Sequence, residues 1–367
     1  MGWVRIADLG RSDGLVLRST TQWLAPDGIT RSRLLPPGTL IMSIAATVGV
    51  PIVTGIRACI HDGFVAIQNL RGLDQTYLLY TLRSLQSELR SAGQTGSQQN
   101  VNTDIVKGLQ IPMPPIEEQR AIAAALLDID HLIGALERTI AKKQAIKKGM
   151  MQQLMTGRTR LPGFTDPWEV VTLGDLGVFL KGRGIKRDDV RQSGIPCIRY
   201  GELYTDFVNY TDTARSFVSP DIAATALPLH SGDLMFAGSG ETREEIGTCV
   251  AYIGEEPAVA GGDIVVFRGS FNPIYLATLA NTPAVSTQKA RAGQGDAIVH
   301  INSRALASVS IELPPRHEQD AIAEVLVDAD NVISALRSRL NKAKSIKQGT
   351  MQQLLTGRTR LPLEVAS

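Results

Sequence analysis

One stretch of this 367-residue chain constrains its fold more than any other, because it occurs twice. Residues 114–162 begin PPIEEQRAIAAALLDID and end KKGMMQQLMTGRTRLP; residues 314–362 begin PPRHEQDAIAEVLVDAD and end KQGTMQQLLTGRTRLP. Laid over each other without a gap, 28 of the 49 positions are identical. A repeat this long sets the order of the chain as a variable segment, a helical unit, a second variable segment and the same helical unit.

The repeat reads as a helix. Pro115 suits a first helical position, and Glu117 and Glu118 place carboxylates at the positive end of the helix dipole. Apolar residues follow at alternating spacings of four and three: Ile122, Leu126, Ile129, Ile133, Leu136 and Ile140, then Ile322, Leu326, Ala329, Ile333, Leu336, Leu340 and Ala343. A period of about 3.5 residues is that of a coiled-coil seam. Lys142, Lys143, Lys147 and Lys148 are read as cations of the last turns, with Lys142–Lys148 a solvated face. Gly157 with Pro162 and Gly357 with Pro362 mark the stops, while Gly149 and Gly349 suggest a kink or a close backbone contact. About forty residues give a helix of roughly 60 Å. Two matching stripes in one chain are most economically buried against each other. The reading is therefore an α+β chain, with two α/β domains separated by two long helices paired as an antiparallel coiled coil, pseudo-two-fold symmetric. The alternative is that each helix belongs to an ordinary helical domain.

The boundaries that follow are 1–112, 113–162, 163–312 and 313–367. Strands are expected in residues 3–6, 15–17, 39–43 and 64–70, and a helix in 77–90. In the second segment they are expected in residues 168–173, 177–180, 196–200, 234–237, 248–253 and 264–268, and a helix in 273–280. The two segments share a faint plan: Trp3–Leu9 aligns with Cys197–Leu203, Gly38–Met42 with Gly232–Phe236, and Asn102 with Asn302. The asparagines are read as turn or cap residues. The second segment carries about 29 residues, Trp168–Pro196, ahead of the point matching Trp3. Residues 1–112 are thus expected to lack two strands and to expose strand edges.

Chemistry is sparse. There is no P-loop pattern, no HExxH and no second proline in Asn272-Pro273-Ile274-Tyr275; Gly238-Ser239-Gly240 reads as a loop. Cys59, Cys197 and Cys249 are scattered, as buried thiols in a reducing interior would be. No catalytic or metal site is assigned. The uncharged run from Leu40 to Ile56 reads as two buried strands, not a membrane span. The net charge of +2 excludes binding by bulk field, so any nucleic-acid contact must come from local patches. Arg and Lys suit guanine and phosphate, Asn and Gln suit adenine. The candidates are Arg5, Arg11, Arg18, Arg31, Arg33, Gln94, Gln98, Gln99 and Asn100, then Lys181, Arg183, Lys186, Arg187, Arg199, Arg243, Lys289, Arg291 and Gln294. They group on the Lys181–Arg187 loop and on the polar stretches Gln94–Asn100 and Ser286–Gln294.

The elements Pro114-Pro115…Glu118-Gln119 and Pro314-Pro315…Glu318-Gln319, with Met151-Gln152-Gln153-Leu154, Met351-Gln352-Gln353-Leu354 and Gly232-Asp233-Leu234, resemble the specificity subunit of type I restriction–modification systems. The resemblance covers the whole chain. It implies a non-catalytic subunit whose two target-recognition domains each read half of a bipartite site in double-stranded DNA; the cytoplasmic location is expected separately, from the scattered cysteines and the lack of a visible signal peptide. It implies docking of two methyltransferase subunits on the helices, and of a restriction subunit. S-adenosylmethionine, ATP and Mg²⁺ would belong to those partners, with no cofactor on this chain. A coiled-coil scaffold without DNA recognition is the alternative.

Overall fold

The repeat is helical in both copies. Ile116–Leu154 and Arg316–Leu354 each run 39 residues without a break in the computed structural model, which describes residues 1–12, 14–92, 101–295 and 298–361. Lys142–Lys148 therefore lies inside the first long helix, not in its last turns. A Cβ placed on Gly149 or Gly349 would meet no atom within 4 Å, so neither a break nor a close contact accounts for these glycines.

The chain packs as two units, Met1–Ala141 with Ser334–Ser367, and Lys142–Ile333. Each takes one α/β segment, the N-terminal part of one long helix and the C-terminal part of the other. Within each unit the helix parts run antiparallel, because partners rise along one helix as they fall along the other. Unit 1 pairs Glu118 with Arg360, Asp130 with Lys347 and Glu137 with Lys344. Unit 2 pairs Glu318 with Arg160 and Asp330 with Lys147. Lys147 is thus mostly buried in an ion pair, contrary to the solvated face expected of it.

The seam has two characters. In unit 1, Leu136 and Ile140 are buried, and Ile129, Ile133, Leu336 and Leu340 are half-buried. Ile122 and Leu126 do more: they join one core with Leu354, Leu355, Tyr77, Leu78 and Leu79 of the same unit. In unit 2, Ile333 is buried. Ile322 and Leu326 join Leu154, Met155, Tyr275 and Leu276 there. Each such side chain contributes about 1.5–3 kcal/mol by burial. The helix ends are therefore cemented into the α/β domains as well as to each other.

Unit 1 has strands β1 (Gly2–Trp3), β2 (Val16–Leu17), β3 (Gln22–Trp23), β4 (Arg33–Leu35), β5 (Leu40–Ser43), β6 (Pro51–Thr54), β7 (Ala58–Ile60) and β8 (Phe64–Ile67). They form two sheets, β3-β1-β7-β4 and β2-β6-β5-β8. Unit 2 has β9 (Glu169–Thr172), β10 (Gly177–Lys181), β11 (Ile195–Ile198), β12 (Tyr210–Thr211), β13 (Ser216–Val218), β14 (Leu227–Leu229) and β15 (Leu234–Ala237). It continues with β16 (Ser239–Gly240), β17 (Cys249–Tyr252), β18 (Ala258–Ala260), β19 (Ile264–Gly269), β20 (Val299–His300) and β21 (Ser310–Leu313). Its main sheets, β13-β11-β18-β14 and β10-β19-β15-β17-β12, repeat the unit 1 order with β10 added at one edge. The register agrees: Trp3 opposes Cys59 as Cys197 opposes Val259, and Leu40 opposes Ile67 as Leu234 opposes Phe267. β9 pairs with β21.

Asn102 and Asn302 are N-caps, their side chains accepting the N–H of Ile105 and Ala305. The three cysteines are buried and free; burial pushes the Cys197 thiol up to about 11 and Cys249 up to about 12. Among the described residues no helix is long and apolar enough to cross a membrane.

Candidate nucleic-acid interface

The Pro-Pro…Glu-Gln element braces each α/β domain on its helix pair. Gln119 is buried, and its Oε1 accepts the N–H of Asp74 at 2.8 Å. Its Nε2 donates to the carbonyls of Gly72 and Pro114, at 2.9 and 2.8 Å. Asp74 is itself the N-cap of the helix Gln75–Ser84. Gln319 does the same in unit 2, accepting from the N–H of Asn272 and donating to Pro314, both at 2.9 Å. Asn272 caps the helix Pro273–Ala280. One glutamine thus fixes where a long helix begins and where the domain's own helix begins.

The glutamate beside it holds the end of the other long helix. Arg360 donates from Nε and Nη2 to the buried Glu118 at 2.7 and 2.5 Å. Arg160 does so to the buried Glu318 at 2.5 and 2.6 Å. The forked guanidinium matches both carboxylate oxygens. Hydrogen bonds from Arg360 hold the Glu118 carboxyl below its ordinary value despite burial. Glu118 is therefore more than a dipole charge, and the terminal Thr-Gly-Arg-Thr-Arg supplies its partner. In unit 2, Trp168 covers the pair: its Nε1 donates to Glu318 at 3.2 Å, and Arg160 sits 5.6 Å over the ring.

A third brace is reached by different routes. Tyr80, on a helix, donates to Asp130 at 2.8 Å; Tyr210, on β12, donates to Asp330 at 3.2 Å. Counting from the matched caps, the position equivalent to Tyr80 is Thr278, whose hydroxyl turns to the Ile274 carbonyl. The helix pairs are alike, whereas the α/β domains reach them with different side chains.

The α/β surfaces carry the DNA candidates. In unit 2 Lys181 ends β10 and the connection after it holds Arg183, Lys186 and Arg187, all exposed. Its glycines press the backbone flat: a Cβ on Gly182 would stand 2.0 Å from the Gly261 carbonyl oxygen, and Gly184 has a φ of +83°. Lys181 and Gln294 line one cleft of about 290 Å³ with His300. Arg291 is exposed, but Ser286–Gln294 is not the loop expected, since Pro283–Ala292 is helical. Lys289 on that helix differs from its expected role. It is buried, donates to the Gly247 carbonyl at 2.5 Å, and burial pushes its ammonium down to about 8. Buried there, it is out of reach of a ligand. Arg243 is exposed, yet its guanidinium donates to the carbonyls of Gly293 and Gly295, both at 2.9 Å, and clamps that loop. Arg199 is half-buried on Glu202.

In unit 1, Arg5, Arg11, Arg18, Arg31 and Arg33 are exposed. Arg5 occupies the place of Arg199 and donates to Gln22 at 3.0 Å; Arg33 donates to Gln68 at 3.1 Å. Arg11 and Arg18 line one cleft of about 350 Å³. Gln94, Gln98, Gln99 and Asn100 lie outside the described residues. Among the described residues no group of three or more His, Cys, Asp or Glu side chains could hold a metal ion.

Comparison with known proteins agrees with this architecture. A family model for the type I restriction modification DNA specificity domain matches residues 30–148 and 165–345. The type I restriction enzyme MjaVIII specificity subunit of Methanocaldococcus jannaschii is 27% identical over 311 residues, covering 79% of this chain and 71% of its own. The putative MjaX specificity subunit of the same organism is 28% identical over 313 residues, covering 80% and 70%. The fold resembles the type I restriction–modification S subunit of M. genitalium, with a TM-score of 0.59, 16% identity, and 88% and 84% of the two chains covered. It also resembles the HsdS subunit of Thermoanaerobacter tengcongensis, with a TM-score of 0.52, 20% identity, and 97% and 90% covered. Two α/β domains braced alike on a duplicated helix, with a family match across both, lead to one conclusion: the chain belongs to the type I restriction modification DNA specificity family.

Proposed function

We infer that this chain reads a split site in double-stranded DNA, one half with each α/β domain. It is a DNA specificity subunit with two recognition domains, and its family is the recognition part of the restriction–modification complex, not the catalytic part. The observation that carries the split-site reading is the pairing of sameness with difference. Glu118–Arg360 and Glu318–Arg160 are one brace built twice, while the candidate contacts of the two domains, the matched Arg5 and Arg199 apart, differ. The exposed Lys181–Arg187 connection is the strongest candidate contact in unit 2; in unit 1 the strongest are Arg11 and Arg18, which line one cleft.

The helices are the docking surface for two methyltransferase subunits. Leu132 and Ile346 are exposed in unit 1, as are Ile146 and Val332 in unit 2. The Asp130–Lys347 and Lys147–Asp330 pairs bring each couple to one level of its helix pair. Two like apolar patches suit two copies of one partner. A restriction subunit joins that assembly in the cytoplasm, and S-adenosylmethionine, ATP and Mg²⁺ are assigned to the partners.

The test is duplex binding by this chain with its cognate methyltransferase across a salt series. Affinity that falls steeply with salt, and that one duplex shows far more than others, is expected. Binding indifferent to salt and sequence would leave only a scaffold.

A further inference from the structure

Four polar side chains of unit 2 meet at the cleft of about 290 Å³. Lys181 ends β10, Asp263 precedes β19, and His300 lies on β20 beside Gln294; all four line the cleft. The sheets set their order. β10 neighbours β19, β19 neighbours β15, and β15 leads through Gly238 into β16, which pairs with β20. Along the chain ends Asp263 therefore sits between Lys181 and His300. The backbone holds that order. The Gly182 N–H donates to the Ile264 carbonyl at 2.8 Å, and the Gly238 N–H to the Asp263 carbonyl at 2.6 Å. The Gly238 carbonyl accepts from the Ile301 N–H at 2.9 Å, and Gln294 and His300 exchange both main-chain bonds. A Cβ on Gly238 would stand 2.9 Å from the Asp263 carbonyl oxygen, so glycine lets these turns meet.

The side chains themselves are uncommitted. Lys181, Asp263 and Gln294 are exposed, and among the described residues no hydrogen bond or ion pair engages their side chains. Asp263 has a φ of +58°, in the left-handed region that favours glycine, and its match in unit 1 is Gly63. The turn thus carries a carboxylate where the backbone would sooner take none. His300 is oriented as well. Ser239 is buried, and its hydroxyl lies 2.9 Å from His300 Nδ1 and makes no other hydrogen bond among the described residues. A buried hydroxyl keeps its proton bonded, so Ser239 donates to Nδ1 and the neutral ring carries its own proton on Nε2. The order across the cleft is donor, acceptor, donor: the Lys181 ammonium, the Asp263 carboxylate and the His300 Nε2–H.

We propose that this cleft reads one A·T base pair from the major groove, within the half-site that the unit 2 domain takes; the assignment rests on the split-site reading above. In that groove an A·T pair presents acceptor, donor, acceptor: adenine N7, adenine N6 and thymine O4. The pattern is the same from either end, so T·A fits equally. A G·C pair presents two acceptors and then a donor. Its guanine O6 would face the Asp263 carboxylate, and the cytosine amino group would face a donor, so the cleft rejects it. A two-stranded ribbon such as β16–β20 fits the width of the groove. A phosphate is not the occupant: Asp263 lines this cleft, and the next cleft along β16 holds Glu241 and Glu245 and no Lys, Arg or His. Gln294 can donate or accept and adds no preference. In unit 1 Gly63 and Ala45 stand in the places of Asp263 and Ser239, so the same reader is not built there.

The test uses the full chain with its cognate methyltransferase. The methylated motif is mapped first, and duplex affinity is then measured with each of the four base pairs at each motif position. One position is expected to favour A·T and T·A over G·C and C·G by about tenfold. Asp263→Gly should level the four pairs at that position and leave every other position unchanged. Asp263→Asn keeps a carbonyl acceptor and tolerates the left-handed turn, and should keep the preference. Lys181→Met changes an exposed side chain outside that turn and should narrow the preference at the same position, so a folding defect in an Asp263 variant does not decide the matter. A preference that neither Asp263→Gly nor Lys181→Met alters, an equal loss of affinity for every sequence, or a G·C preference at the affected position would each overturn the proposal. A chain that favours one split duplex while these variants change nothing sinks this proposal alone; a chain that favours no duplex sinks the split-site reading with it.

Discussion

Gln119→Met keeps the volume of the side chain and removes every hydrogen bond it makes. Three backbone groups lose their partner: the Asp74 N–H and the Gly72 and Pro114 carbonyls. Gln119 is 1% exposed, so water does not readily replace them. At about 1 kcal/mol per bond, unit 1 should lose about 3 kcal/mol. Gln319→Met removes two bonds in unit 2, to Asn272 and Pro314, and should cost about 2 kcal/mol. The assay is urea titration with amide exchange followed separately in each unit, since two units need not unfold as one transition. The loss should be confined to the mutated unit, begin at the capped helix, and be larger for Gln119 by about one hydrogen bond. Equal losses, or losses under about 0.5 kcal/mol in both units, would refute the brace and return the glutamine to the class of surface substitutions.

Other consequences follow from the same contacts. Gly149→Ala and Gly349→Ala each place a methyl group in open space on a continuous helix, and should raise stability in urea by about 1 kcal/mol apiece; a loss would mean that the glycine holds a contact. Lys289 has its folded value lowered to about 8 from 10.5 by burial, so the unfolded chain binds the extra proton between those values. Stability should therefore rise with pH across that window, and Lys289→Met should remove that part of the rise when urea midpoints are compared; an unchanged profile would contradict it. Arg183→Ala with Arg187→Ala should weaken duplex binding by about 1–3 kcal/mol per base-reading contact, or lower the salt slope if the contacts are to phosphate. Unchanged affinity and slope would remove that loop from the interface.

The helix repeat, its antiparallel pairing and the shared plan of the α/β segments were legible because each rests on periodicity or identity. Caps were legible at Asn102 and Asn302, since the capping oxygen and its N–H lie three residues apart. What could not be read was long-range chemistry. Glu118 meets Arg360 across 242 residues, and a dipole role satisfied the local pattern equally well. Lys289 read as a surface cation because a polar helix and a polar loop share composition; only the fold reveals the Gly247 carbonyl above it. The groove beside β8, like the pairing of β8 with β5, required the coordinates.

The central claim, that each α/β domain reads its own half of a split site, is tested most directly by mapping DNA methylation. The host would carry the cognate methyltransferase with either this chain or a chimera whose residues 163–312 come from another member of the family. The account predicts a bipartite methylated motif that depends on this chain, with one half changed and the other retained in the chimera. Methylation without a split motif, or a chimera that alters both halves together, would contradict it.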